Sequence, residues 1–491
     1  MNLPLAEQPV VQRHPGRKNA KAEKRSKPPA QANSPPKKTL LLSEISENLT
    51  SQFGHSKHGD NASSASFSSD SSRTLHYNFL GDESQPYKRS MDTSHPSHPA
   101  LFPSDQSAPR SPSQARRKNH ATVLTLEDIA AVGAIEKLVT QYGRVSHMGV
   151  LDPNYNLFVN KTRTAALSFK VHNKVALVMG DPLCKPDLFT EVLKEFKEYR
   201  KKFRWGVAFI GASEVFAAYA KQHKWTTLQF GTERVLNPMT NDVLNERSGK
   251  RIIVQCKQLL NPHKGNISLG VYVPSSGEDL DLQKELAGVY DSWREERNHA
   301  VGAKAFITVY DPFSMPGMMT YVYTRGPDGV ANGFAALRRL GPNNGYHIDP
   351  CVAAPGAPRG ITDLLIFAAM ALLHPMGVSY LSLGFEPLES LADITRMPLP
   401  IEQITRAIYK RTFKQMLFKG KQAHHDKFKP DGSQGSPLYT LFPTGAPSFR
   451  QWVAVSHMSN ISIRRLFFPR TGRKSRTTKQ ETACDQNKKP Q

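Results

Sequence analysis

Cysteine is scarce in this chain and nowhere paired. Cys184, Cys256, Cys351 and Cys484 lie far apart, with no Cys-x-x-Cys step and no histidine at zinc-site spacing. That argues against a disulfide scaffold or a structural zinc site, and it fits a reducing compartment. Long hydrophobic runs are missing too. The longest, Ile361 to Leu373, carries Asp363 and is too short to cross roughly 30 Å of hydrocarbon. No charged-then-apolar signal opens the sequence. The expectation is a cytoplasmic protein, soluble or at most attached to a membrane surface. Acidic residues are the third shortage: 42 Asp and Glu stand against 65 Lys and Arg, a net charge of +23. Such an excess points to a polyanionic partner, nucleic acid or an anionic membrane face. The plain alternative is a pair of solvated basic tails with no specific ligand.

What is present falls into folded and polar parts. The length of 491 residues accommodates two or three domains, yet only 38 % of residues are hydrophobic. Residues 1–120 are rich in Ser, Pro, His and Lys, with basic clusters at 17–27 and 116–118. So few apolar groups cannot offset the entropy of ordering, and disorder is expected there. A short exception at 40–49 suits an amphipathic turn or two laid on a partner. Residues 456–491 form a second basic tail. Two folded domains are expected between these ends, at 121–275 and 280–455. A chain trimmed to 119–463 is expected to keep its fold and its turnover.

Inside the folded part, short strands alternate with helices. The Thr125-Leu-Glu-Asp128 cap pattern precedes an apolar-periodic helix at 129–139. Strands are predicted at 165–171 and 174–179, the second ending in Gly180-Asp181-Pro182, then a helix at 186–203, a strand at 206–210 and a helix at 214–223. The second half repeats the style. A helix at 281–298 precedes strands at 319–324 and 333–340, a strand end at 346–349, a buried helix at 360–374, a strand at 378–383 and a basic helix at 404–419. This alternation predicts a mixed α/β protein.

The most informative block runs Gly333-Phe-Ala-Ala-Leu-Arg-Arg-Leu340, Tyr346-His-Ile-Asp349, Pro358-Arg-Gly-Ile-Thr-Asp-Leu-Leu365 and Leu381-Ser-Leu-Gly-Phe-Glu-Pro-Leu388. It places charged groups where strands end and a helix begins. Acyl transfer needs donors near a carbonyl oxygen and an acceptor for an alcohol proton, and such ends supply both. Asp363 lies in the first turn of an apolar helix, where a carboxylate that merely complements the helix dipole is the competing reading. Asp349 precedes a proline and is alternatively a turn residue. Arg338 and Arg339 alternate faces of a strand, so one faces inward. Lys410, Arg411 and Lys414 interleave with Phe413, Leu417 and Phe418, suiting the phosphates of a nucleic acid, an anionic membrane or simply solvent. His424-His425-Asp426 is no metal site, since adjacent helical side chains diverge by about 100° and no third ligand follows. Met315, Met318 and Met319 suit an adaptable apolar rim or, more simply, ordinary packing.

These motifs, in this order, resemble the catalytic domain of the bacterial phosphatidylglycerol lysyltransferases, and more closely the soluble fungal ergosteryl-amino-acid synthases of that family. The likeness spans about 122–445 and includes Gly180-Asp181-Pro182, Ile348-Asp349, Leu383-Gly-Phe-Glu-Pro-Leu388 and Lys427-Phe-Lys-Pro430, with Tyr439 just beyond. The resemblance implies an α/β fold of two GNAT-like domains in tandem. It implies transfer of an amino acid from aminoacyl-tRNA to a lipid hydroxyl, with the tRNA as co-substrate and no cofactor.

Two departures bear on the acceptor. Val352 stands where the bacterial pattern commonly has Arg, and His425 where the family often has Lys. Fewer cations favour a neutral acceptor such as a sterol, and the resemblance to the freestanding fungal enzyme implies glycine carried from glycyl-tRNA, charged by a separate synthetase, to the 3-hydroxyl of ergosterol. Arg338 and Lys427 are the candidate stabilisers or holders of the tRNA terminus. Asp349 or Asp363 would hold the amino group or accept the hydroxyl proton. Gly360, Glu386, Tyr439, Lys410, Arg411 and Lys414 are the candidate substrate contacts, and an anionic membrane surface is a possible further partner. The rivals are an aminoacyl-phosphatidylglycerol synthase, a GNAT-type N-acetyltransferase and a non-catalytic RNA or membrane binder. The acetyltransferase is disfavoured because Arg359-Gly360-Ile-Thr lacks the spacing of a pyrophosphate loop.

Overall fold

The computed structural model describes residues 40–55, 122–125, 129–299, 311–415, 418–443 and 445–458. The basic clusters at 17–27, 116–118 and 464–479 lie outside the described residues. In chain order, α1 (Leu41–His55) precedes β1 (Thr122–Leu124) and α2 (Ile129–Tyr142). A buried 3-10 segment, Val145–Leu151, leads to β2 (Asn156–Val159), β3 (Ala166–His172), β4 (Val175–Met179), α3 (Phe189–Lys201), β5 (Gly206–Ala212), α4 (Glu214–Gln222) and β6 (Thr226–Leu236). Then come α5 (Lys250–Leu260), β7 (Ser268–Tyr272), α6 (Leu280–His299), β8 (Met319–Arg325), β9 (Ala331–Leu340), β10 (Gly345–Ala353), α7 (Ile361–Leu373) and β11 (Leu381–Pro387). A short β12 (Ile394–Thr395), α8 (Leu399–Gln415), α9 (Phe418–Asp426), β13 (Pro437–Phe442) and α10 (Phe449–Met458) complete the order.

All the strands join one sheet, in the order β1-β2-β3-β4-β5-β13-β6-β11-β10-β9-β8-β7, with β12 alongside β6. Each half is an antiparallel meander followed by a helix and one parallel strand: β2–β4, α3 and β5, then β7–β10, α7 and β11. This is the expected mixed α/β arrangement, built as two similarly ordered halves. The halves interlock, because β13 of the second runs between β5 and β6 of the first. Helix α7 is apolar on every side apart from Asp363, and a helix of that composition belongs in a core. It packs with α5 and α1 against the second half's strands.

Both parallel pairs open into a V. β4 and β5 stay paired to Met179 and Ile210 and part at Gly180 and Gly211. The Val145–Leu151 segment fills that opening, so that a Cβ on Gly180 would meet the His147 ring and one on Gly211 the Ser146 hydroxyl. Both glycines have positive φ, 71° and 77°. β10 and β11 pair only at Tyr346–Leu381 and His347–Ser382 before they separate. Irregularities follow at once in their pairing with the outer neighbours, between Ile348 and Cys351 and between Ser382 and Phe385.

One expectation is corrected. Residues 41–55, placed in a disordered region, form α1 on the chain's own core. Leu41, Leu42, Ile45 and Leu49 are buried there, and Gln52 bonds Leu269 O and Val271 N along edge strand β7. The local composition looked too polar because those four side chains find their apolar partners on α5, α7 and β7, far away in sequence. Of the basic helix expected at 404–419, the described residues are helical up to Gln415 and again from Phe418. Met315, Met318 and Met319 are core residues beneath α2 and α6, the ordinary packing that was the simpler of their two readings.

Candidate active site

Two helices begin side by side at glycines. Gly249 caps α5 with φ 69° and Gly360 caps α7 with φ 97°, both left-handed and both without a side-chain cap. The first-turn amides of a helix have no intrahelical acceptor, and its dipole is positive there. Gly360 is required twice over. Its backbone angle is unfavourable for other residues, and a Cβ would collide with Gln255, whose Nε2 donates to Arg359 O at 2.8 Å. A cavity of about 470 Å³ opens between these helix starts and the end of α9.

Arg251, Arg359 and Lys427 bring cations to this cavity, and Asp363 is the single acid among its lining residues. The Asp363 carboxylate is recessed, with its side chain 10 % exposed, 3.6 Å from Lys427 Nζ and 3.5 Å from His424 Nδ1. Burial, with the charges of Lys427 and His425, lowers the His424 pKa against the opposing pull of Asp363.

The last turn of α9 distributes its side chains to different partners. His424 turns to Asp363, His425 Nδ1 lies 2.8 Å from Glu386 Oε1, and Asp426 pairs with Arg234. Arg234 Nε is also 3.4 Å from Glu386. Glu386 is buried, which by itself raises its pKa. The His425 hydrogen bond and the charges of Arg234 and Lys421 outweigh burial and hold it below the usual carboxylate range. Glu386 is thereby committed to fixing α9 on β11, and through α9 it positions Lys427. Among the described residues no group of three or more His, Cys, Asp and Glu side chains is arranged to hold a metal ion.

The sequence-derived candidates therefore separate. Gly360, Asp363 and Lys427 come together in the cleft, and Glu386 supports them through His425. Arg338 is fully buried and donates to Arg144 O at 2.9 Å, where Asp181 receives Arg144, Ser213 N and Ser213 Oγ. That network joins the two halves and lies outside the cleft lining. Asp349, partly buried, lies at the irregularity of β10. Tyr439 packs in the first half's core with Lys221 Nζ above its ring. Lys410, Arg411 and Lys414 are exposed on α8, with no part in the lining. Val352 is a buried core residue, so its identity carries no information about a head group in the cleft.

Sequence reasoning missed Arg251, Gln255 and His424 as cleft residues, and it quoted Arg359 without choosing it. The available signal was a pair of glycine-led helix starts, each beside an arginine, at Gly249-Lys250-Arg251 and Arg359-Gly360.

Comparison with known proteins places most of the folded part in a family. The family model for the C-terminal region of phosphatidylglycerol lysyltransferase matches residues 136–441. The lysylphosphatidylglycerol biosynthesis bifunctional protein of Rhodococcus jostii is 23 % identical over 262 residues, covering 53 % of this chain and 23 % of that protein. Its counterpart in Mycolicibacterium gilvum is 22 % identical over 272 residues, covering 55 % and 24 %. The chain thus spans about a quarter of the length of these relatives. The solved C-terminal domain of a putative lysylphosphatidylglycerol synthetase from Agrobacterium fabrum is similar with a TM-score of 0.51 at 18 % identity, over 67 % of this chain and 96 % of that one. The L-PGS structure from Bacillus licheniformis gives 0.52 at 16 %, over 66 % and 95 %. Since the matched region begins in α2, ends in β13 and so holds every element that builds the cleft, the chain belongs to the phosphatidylglycerol lysyltransferase C-terminal family.

Proposed function

We propose that this chain transfers the aminoacyl group of a charged tRNA to a lipid hydroxyl in the cleft around Asp363. One observation carries the reading: a single recessed carboxylate ringed by three cations and two uncapped helix N-termini. The 3′ end of an aminoacyl-tRNA has the complementary pattern. Its phosphates suit Arg251, Arg359 and the first-turn amides, and its free α-ammonium suits Asp363. The lipid hydroxyl oxygen attacks the ester carbonyl, a new C–O bond forms, and the bond to the ribose oxygen breaks. The proton passes from the lipid hydroxyl to that ribose oxygen. His424, beside Asp363, is suited to relay it, while Lys427 stabilises the oxyanion. Because the ester is already activated, positioning supplies much of the acceleration.

For the acceptor and donor we retain the sterol 3-hydroxyl and glycyl-tRNA from a separate synthetase, on the resemblance to the freestanding fungal enzymes. The burial of Val352 removes one argument for the sterol. Phosphatidylglycerol is the second reading, favoured by the three cleft cations and by the names of the relatives. The experiment supplies total charged tRNA with one labelled amino acid at a time, and vesicles holding either lipid. Label is expected in the organic extract and is expected to vanish with RNase; labelling from free amino acid after RNase would sink the proposal. The labelled lipid decides between acceptors. Asp363→Asn, at unchanged Tm, is expected to lower the rate on the order of 100-fold.

A further inference from the structure

Helix α8 turns Thr405, Tyr409, Thr412 and Phe413 towards the protein and still leaves a row of isoleucines partly exposed. Its inner face is fastened by polar groups. Tyr409 Oη reaches the carbonyls of Phe230 at 2.9 Å and Leu388 at 2.8 Å. Arg406 reaches the carbonyls of Leu391 and Ala392 and pairs with Glu402. The solvent face exposes Gln403, Ala407, Lys410, Arg411 and Lys414, and beside them Ile401, Ile404 and Ile408 are 37, 60 and 37 % exposed. Ile401, Ile404, Ile408 and Arg411 recur at three- and four-residue steps and so form one stripe, with Lys410 and Lys414 running beside it. Exposed apolar residues scattered singly are ordinary, but a contiguous row on one helix marks a contact surface.

We infer that the outer face of α8 docks the protein on an anionic lipid surface, the isoleucines entering the acyl boundary and Lys410, Arg411 and Lys414 meeting the head groups. Charge selects this occupant. The row of isoleucines is flanked by cations with no acid among them at the C-terminal end of the helix, and the chain as a whole carries +23. A helix lying in the interface has that composition, an apolar stripe bordered by Lys and Arg. The surface stands independently of which lipid the cleft serves, and vesicle binding is read without any tRNA.

The full chain is tested by flotation with vesicles of phosphatidylcholine alone or mixed with phosphatidylserine. The parent protein is expected to float with the mixed vesicles. The triple change Ile401→Asn, Ile404→Asn, Ile408→Asn is expected to weaken that partition about tenfold or more. Lys410→Ala, Arg411→Ala, Lys414→Ala is expected to abolish the preference for phosphatidylserine and flatten the salt dependence. If the isoleucine variant unfolds, Ile404→Cys carrying a polarity-sensitive dye reads the same face, and its emission is expected to shift to the blue on mixed vesicles. Equal flotation of parent and isoleucine variant, or a dye that does not shift, overturns the inference. So does loss of self-association or of tRNA binding by the isoleucine variant at unchanged flotation, which would assign the face to a second copy or to RNA.

Discussion

At the scale of single residues, His147 makes the molecule sensitive to acid. Its Nδ1 accepts the Arg144 N–H at 2.9 Å and its Nε2 donates to Asp181 O at 2.8 Å, so only the neutral ring satisfies both. Burial pushes its pKa down to about 4, whereas an unfolded histidine titrates near 6.5. Between these values the unfolded chain binds a proton that the native one does not, and stability falls as pH drops through that window. His347 and His425 are lowered by burial and act in the same direction. Tm is expected to be level above pH 7 and to fall steadily from pH 6.5 towards 4.5. His147 alone would contribute on the order of 3 kcal/mol across its full window. His147→Gln, less stable at pH 7, is expected to show a shallower slope in the same thermal melts.

The same scale shows how far the site was legible. Asp363 and Gly360 were singled out by a charged group at a glycine-led start of an otherwise apolar helix, although the helix dipole alone also accounts for an acid there. Arg338 was read as a stabiliser or holder of the tRNA terminus, and Glu386 as a substrate contact, from their places in strand motifs. Strand position gives a face but not a partner, and their partners, Arg144 and His425, come from distant segments. Arg251 escaped because α5 carries no catalytic pattern of its own and reaches the cleft only through tertiary packing.

At the scale of elements, α1 is a staple. It covers α7 on one side and satisfies edge strand β7 with one glutamine, which blunts a row of backbone groups otherwise open to pairing. Leu41 N also donates to Glu246 at 2.7 Å, next to the Lys257 pair. A chain beginning at residue 119 loses this cover, contrary to the expectation that trimming there is harmless. Against a chain beginning at residue 40, its Tm is expected to be lower by on the order of 10 °C, with β7 losing amide protection in hydrogen exchange. Most helices and strands of the folded part were legible from periodicity. What periodicity could not supply was the pairing of α1 with residues some two hundred positions on, because no local feature encodes a long-range partner.

At the scale of the whole molecule, the insertion of β13 between β5 and β6 makes the first half incomplete by itself. Leu441 and Tyr439 belong to one of its cores and Leu438 and Phe442 to another. A fragment of residues 122–275 is expected to lack a cooperative thermal transition, measured by circular dichroism. The alternation of strands and helices gave no hint of this exchange, since β13 reads like any other short apolar strand. The exchange also dictates an order of events during synthesis. The ribosome finishes β5 and β6 some two hundred residues before it releases β13, and until then the two strands that will flank β13 have exposed backbone edges and uncovered apolar faces. The protein is therefore born with its first half open, and it needs a holding factor or fast completion of the chain to keep those edges from pairing with a neighbour.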